Sequence, residues 1–152
     1  MLLFKCKNKI KISHLLTLSN INYSVVCSGE GIHQEISNII CWVGNMEDVV
    51  EYLTNYTFII TSECSEALLA ASVVFANGIN IDGVLITNEG DLSSRNINFC
   101  TKLMCDEKLL VLFCNTSYEE VCIKLNQISV YEESENSFVI QNSIGCIYTE
   151  NT

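Results

Sequence analysis

Three short runs of apolar residues constrain the fold of this 152-residue chain more than any other feature. They lie at 57–61, 83–87 and 109–113, and none of them alternates apolar with polar residues. Strands of this kind are buried on both faces, which is typical of a parallel sheet covered by helices. Parallel strands need long crossovers, and these are right-handed. The sequence therefore predicts an α/β fold, a three-layer sandwich whose mainly parallel sheet is built from β-α-β units.

The segments around these runs read as the crossover helices. Residues 65–77 are helical in composition, with Gly78 as a C-terminal stop, and 93–107 and 117–127 carry apolar residues at helical spacing. Within the crossover helix at 65–77, residues 67–76 are apolar on nearly every side of the helix. A surface helix should show one polar face, so we expect this one either to be covered by the N-terminal part or to meet a partner chain.

The first third of the chain is less regular. Residues 13–18 predict a short helix with Ser13 as its N-cap, and 23–27 predict a strand that runs into a glycine turn. A further apolar run lies within 36–43. Apolar residues then recur at i, i+3, i+4 and i+7 over 46–53, which predicts an amphipathic helix.

Three parts follow from this pattern. We expect an α/β domain over 12–127, preceded at 1–11 by a Lys-rich arm. We interpret this arm as a solvated, frayed terminus, with a small anion-binding arm as the alternative. Residues 128–152 contain an acidic stretch and two short apolar segments. We interpret them as a C-terminal extension, either a weak hairpin or an interdomain connection.

The charge balance excludes some partners. The chain has 18 acidic and 8 basic residues, a formal net charge of −10, and half of the basic residues are crowded at the start. A duplex-binding surface needs several cations on one face, so we expect no direct contact with nucleic acid. No apolar run reaches the ~18 residues of a membrane span, so we expect no membrane partner.

The nine cysteines show no metal-binding or disulfide pattern. There is no C-x-x-C, and zinc sites normally carry such paired ligands. The cysteine count is odd, and the opening residues do not resemble a secretory signal. We therefore expect a reducing, cytoplasmic environment, mostly buried thiols, and neither a disulfide, a metal nor another cofactor.

The best site candidate follows from the predicted topology. In open α/β sheets, ligands bind beyond the carboxyl ends of the strands. Hydroxyls and amides dominate there, which suits a small polar molecule, and nearby helix N-termini would favour carbonyl-rich or weakly anionic ligands. The same residue types also cap helices, so a purely structural role stays open. The candidate ligand-binding residues are Thr61, Ser62, Thr87, Asn88, Asn115 and Thr116.

Several segments resemble the N-terminal domain of bacterial purine-catabolism regulators of the PucR type. ISHLLTL is similar to the short first helix of that domain, and FIITS to a strand that ends in a Thr pair. Two further motifs correspond, at G-E-x-G and at V-x-W-V with a downstream acid. The matching residues there are Gly29, Glu30, Gly31, Trp42, Val43 and Glu47. The departures are the lack of proline, Glu63 in place of a glycine, and the missing C-terminal helix-turn-helix.

The second half also resembles DRTGG-type domains and the N-terminal domain of HPr kinase. GVLITNEG and NTSYEEV carry this likeness, although the D-R-T-G-G signature is missing. Together the resemblances imply a non-catalytic sensor domain of a bacterial transcription regulator, which binds a purine or ureide effector or mediates assembly as a homodimer or with another regulator.

Two other functions stay open. One is a pure interaction module of the DRTGG-like type, without a ligand. The other is an enzyme that uses Cys27 with His33, although the sequence contains no known nucleophile motif that supports it. The sequence favours a non-enzyme.

Overall fold

The computed structural model describes residues 1–90, 109–135 and 140–142 of the chain. The predicted helix at 93–107 lies outside these residues. The elements in chain order are β1 (Leu2–Lys11), α1 (Ile12–Leu18), β2 (Tyr23–Cys27), β3 (Glu35–Cys41), β4 (Thr57–Thr61), α2 (Cys64–Ala76), β5 (Gly83–Ile86), β6 (Leu110–Cys114), α3 (Tyr118–Glu135) and β7 (Ile140–Asn142).

The described strands form one seven-stranded sheet in the order β2-β6-β5-β4-β3-β1-β7. β3, β4, β5 and β6 are parallel, with Ile60 opposite Leu85 and Leu85 opposite Leu112. β2 is antiparallel to β6, and β1 is antiparallel to both β3 and β7. The prediction that the three apolar runs pair in parallel is confirmed, and the antiparallel strands lie toward the two edges.

Alternate residues of the central strands pack into two separate cores. Leu85 contacts the core beneath α1 and α3, whereas its neighbours Val84 and Ile86 contact the core beneath α2. All three side chains are fully buried. Because both faces of the sheet are covered by helices, the strands have no polar face, which explains their unbroken apolar sequence. The predicted three-layer α/β sandwich is confirmed.

Gly78 ends α2 as the sequence predicts. Its φ is +85°, and its N–H donates to the Phe75 carbonyl oxygen at 3.0 Å. The Ile79 N–H donates to the Val74 carbonyl oxygen at 2.9 Å. These two bonds form a Schellman motif, which requires a left-handed residue where glycine costs least.

The prediction of a frayed arm at 1–11 is wrong. These residues form β1, which pairs with β3 and β7 within the sheet. Phe4 and Ile10 are buried in the core beneath α1 and α3, and this burial holds the strand in place. Lys5, Lys9 and Lys11 remain exposed, so a lysine-rich sequence is compatible with an ordered strand.

The prediction of an amphipathic α-helix over 46–53 is also wrong. The segment forms two 3₁₀ turns, Met46–Asp48 and Val50–Tyr52. Val49 is nonetheless fully buried against α2 and the sheet, so the apolar spacing marked the correct inward residues. Adjacent β-branched valines lower the helix propensity, and a connection this short favours the tighter turn.

Ser13 does not cap α1. The helix begins at Ile12, with Lys11 at the N-cap position and no side-chain cap. The Ser13 hydroxyl instead lies 3.2 Å from Nδ1 of His33, within hydrogen-bonding distance. The sequence could not reveal this partner, because it comes from a loop twenty residues away.

The C-terminal part differs from the predicted extension. α3 continues to Glu135, eight residues past the predicted end at 127, since no glycine or proline interrupts it. β7 pairs with β1, with Ile140 opposite Cys6, so this part of the chain adds a strand to the sheet. The second arm of the predicted hairpin lies outside the described residues.

The six described cysteines are free thiols. Cys41, Cys64, Cys114 and Cys122 are buried, as predicted. Burial raises the pKa of the Cys41 thiol, which also shares a hydrogen bond with Cys122. Among the described residues, no group of three or more candidate ligands is placed to hold a metal ion. No helix in that part of the chain is long and apolar enough to cross a membrane.

Asp82 is a half-buried carboxyl group just before β5. The backbone N–H of Tyr56 donates to its carboxylate, and the charge of Lys9 lies nearby. Burial outweighs both favourable interactions and raises the pKa of Asp82 from 3.8 to about 6. The ionised form of Asp82 is therefore less favourable in the folded chain than in the unfolded one.

Replacing Asp82 with asparagine should stabilise the fold at neutral pH. A carboxyl group whose pKa is higher in the folded chain than in the unfolded chain lowers the free energy of unfolding at high pH. This loss of stability disappears as the pH falls and the carboxyl is protonated in both states. The melting temperature of Asp82→Asn should thus exceed that of the wild type above about pH 7, and the gain should shrink as pH falls through 6 towards about 4. Glu47→Gln, which removes one exposed carboxylate, is the control. A gain that does not vary with pH would contradict this account of Asp82.

Candidate functional site

Three loops meet at the carboxyl ends of β4, β5 and β6. The Thr87 N–H donates to the Thr61 carbonyl oxygen at 3.0 Å, and the Asn88 N–H donates to the Thr116 carbonyl oxygen at 3.1 Å. The Asn88 side-chain amide donates to the Asn115 carbonyl oxygen at 3.3 Å. Because β5 lies between β4 and β6, its loop contacts both of the others. We call this edge the strand-end rim: Thr61, Ser62, Thr87, Asn88, Asn115 and Thr116.

The six residues of the rim divide into two groups. Thr61 and Thr87 are fully buried, and their hydroxyls bond within the chain. The Thr61 hydroxyl accepts the Glu63 N–H at 3.0 Å, and the Thr87 hydroxyl donates to Glu89 at 2.8 Å. The other four reach the surface, with Asn88 and Asn115 exposed. The threonine hydroxyls therefore bond within their own loops, while Asn88 both links two loops and, like Asn115, is exposed to solvent.

Glu89 links the loops after β5 and β6. Its carboxylate accepts the Thr87 hydroxyl, and it accepts the Tyr118 N–H at 3.1 Å and 3.2 Å through its two oxygens. Desolvation alone would raise the pKa of Glu89, but the hydrogen bonds from Thr87, its own backbone and Tyr118 outweigh it and lower that pKa. The sequence gives no sign of this role, because a glutamate between an asparagine and a glycine has the pattern of an ordinary solvated acid.

The N-terminus of α3 is therefore occupied by the chain itself. Ser117 acts as its N-cap, since its hydroxyl accepts the Glu120 N–H at 3.2 Å, and Glu89 takes the Tyr118 N–H. An N-cap hydroxyl and a carboxylate satisfy the donors and the partial positive charge of the first turn. Glu89 and Ser117 thus occupy N–H donors at this helix N-terminus that an anionic ligand would otherwise contact.

Trp42 lies one strand away from the rim, just after β3. Its backbone N–H donates to the Ile60 carbonyl oxygen at 3.0 Å, next to the end of β4. The indole Nε1 is buried and has no acceptor among the described residues. A Cβ at Gly44, where φ is +144°, would lie 3.0 Å from Oδ2 of Asp48 and 3.5 Å from this nitrogen. As the single tryptophan of the chain, Trp42 can report events at this edge by fluorescence.

Gly90 allows the close approach of the loops after β4 and β5. A Cβ at this position would overlap Cγ2 of Ile86 and lie 3.1 Å from the Thr87 carbonyl oxygen and 3.2 Å from that of Ser62. We expect Gly90→Ala to lower the free energy of unfolding by about 1–3 kcal/mol, as overpacking typically does. Urea denaturation measures this change, with the exposed Ser65→Ala as control. Equal stability of Gly90→Ala and the wild type would contradict the packing described here.

Comparison with known proteins supports the architecture. No family model matches the chain, and no curated protein matches it. Among solved structures, the chain is similar to the CBS and DRTGG domains of the regulatory region of Clostridium perfringens pyrophosphatase, solved with its activator diadenosine tetraphosphate. The TM-score is 0.54 at 10% identity, over 77% of this chain and 46% of that chain. The chain thus spans less than half of the similar structure, and at this identity the likeness shows the fold, in line with the DRTGG-type resemblance.

Proposed function

We propose that this chain is a non-catalytic regulatory domain that binds a small polar effector at the strand-end rim. The observation that carries the proposal is the convergence of three loops. Thr87 bonds to Thr61 at the end of β4, and Asn88 bonds to Thr116 and Asn115 after β6. Ligands of open α/β sheets bind at this edge. The fold is shared with part of a pyrophosphatase regulatory region solved with an activator, which supports a regulatory role over a catalytic one.

The chemistry of the rim favours a neutral effector rich in carbonyl and N–H groups. The exposed amides of Asn88 and Asn115 offer both donors and acceptors. Glu89 already fills the place that an anion would take at α3. A purine or a ureide fits this description, as the PucR-type resemblance implies. That resemblance also implies a transcription-regulator setting, in which the bound effector alters contacts with another domain or a second copy.

Substitution of the two exposed asparagines tests the proposal. Each hydrogen bond contributes about 0.5–1.5 kcal/mol, so micromolar affinity needs several of them at once. A thermal-shift panel of purines and ureides identifies a binding compound, and Trp42 fluorescence gives its affinity. We expect Asn88→Ala with Asn115→Ala to weaken binding at least about tenfold without loss of the fold. The exposed pair Asn8→Ala with Asn22→Ala is the matched control.

Two results would contradict the proposal. One is a panel in which no compound shifts the melting temperature. The other is a binding compound whose affinity is the same for the rim variant, the control variant and the wild type, since that compound would bind elsewhere.

The exposed side of α2 favours a second candidate, an interaction module. Leu69 and Val73, which lie one turn apart, are 43% and 38% exposed, although the helix buries its other apolar face against the sheet. Exposed apolar clusters mark interaction surfaces. Sedimentation separates the two functions: a dimer that Leu69→Ser with Val73→Ser dissociates would support the module, whereas a monomer at all concentrations would remove the homodimer version of it.

A further inference from the structure

A cleft of about 490 Å³ opens at the opposite end of the sheet from the rim, where β3 begins. Its volume falls within the range of small-molecule sites. One wall comes from β1 and α1, and the other from the start of β3 and the loop before it. The lining residues are Lys9, Ile10, Lys11, Ser13, His14, Thr17, His33 and Glu35.

The cleft holds two of the few cations of a strongly acidic chain. Lys9 and Lys11 are two of only eight basic residues, and both are exposed at its edge. The opposing charges are Glu35, which is the register partner of Lys11 in the sheet, and Asp82, which interacts with Lys9. His14 and His33 add nitrogen donors. The cleft thus combines cations and neutral donors within a molecule whose net charge is −10.

The walls of the cleft are held in place by hydrogen bonds and a ring contact. The Ile12 and Ser13 N–H groups donate to the Gln34 and Ile32 carbonyl oxygens at 2.9 Å and 2.8 Å, which joins α1 to the loop before β3. The Lys9 ammonium lies 3.5 Å from the centroid of the Tyr56 ring, and a cation–π contact holds the charge without neutralising it. Binding groups that are already fixed lose less entropy when a ligand arrives.

We propose that this cleft binds a small phosphate-bearing molecule. Phosphate oxygens accept hydrogen bonds from ammonium, hydroxyl and imidazole N–H groups, and the cleft contains all three kinds of group. Nucleic acid is disfavoured, because a long polyanion also meets the acidic remainder of the surface. A small anion is affected mainly by charges within about 8 Å at physiological salt, and the lining of the cleft carries two lysines and one glutamate.

Titration with inorganic pyrophosphate at constant ionic strength tests the proposal. Calorimetry should show saturable binding to the wild-type chain. Lys9→Gln with Lys11→Gln should weaken this binding at least about tenfold, while Lys5→Gln with Lys124→Gln should change it less than about twofold. The control removes the same charge, but Lys5 and Lys124 donate to Asn38 and Asn20 outside the cleft.

Ser13→Ala is a second test variant, which keeps the proposal testable if the double lysine variant does not fold. It removes one hydroxyl without changing the charge, and we expect it to weaken pyrophosphate binding about threefold. The melting temperature should change little, because the contact of this hydroxyl with His33 is exposed. The Asn88→Ala and Asn115→Ala pair should leave pyrophosphate binding unchanged, because the rim is a separate site. Absence of saturation at millimolar pyrophosphate, or an equal loss in both double lysine variants, would overturn the proposal.

Discussion

Parallel pairing of β4, β5 and β6 is the constraint on which the rest of the structure depends. Gly83 shows how tight it is, since a Cβ there would lie 3.2 Å from the Phe58 ring and 3.3 Å from Cδ2 of Leu110. These are its register partners in β4 and β6. Both faces of these strands are buried, so a slip by one residue would exchange the residues that face α2 with those that face α3. The pairing therefore fixes where every following loop begins.

The rim is a direct consequence of that pairing. Three strands that end at the same edge release three loops side by side, and Thr87 and Asn88 after β5 bond to both neighbours. Glu89 then connects this loop to the first turn of α3. The carboxylate stabilises the loops and also accepts the Tyr118 N–H at the helix terminus. One residue thus links two loops and satisfies a donor in the first turn of α3.

The sequence predicts the centre of the sheet better than its periphery. The unbroken apolar runs predict buried strands, and the glycine at 78 predicts the end of a helix. β4, β5, β6 and the end of α2 are therefore found where expected. β1 is missed because its lysines suggest solvent, while its membership of the sheet depends on burying Phe4 and Ile10. The role of Glu89 is missed for a related reason, since Tyr118 lies 29 residues further along the chain. Contacts between distant segments leave no periodic signal in one sequence.

Native-state amide hydrogen exchange tests whether the loops after β5 and β6 form one fixed surface. We expect the amides of Thr87, Asn88 and Tyr118 to be protected, because each donates to an acceptor in a neighbouring element or loop. Asn115, which is exposed in the same loops, is the internal reference. If Asn88 and Tyr118 exchange at the rate of an unstructured peptide, the loops do not converge into a rim and the account is contradicted.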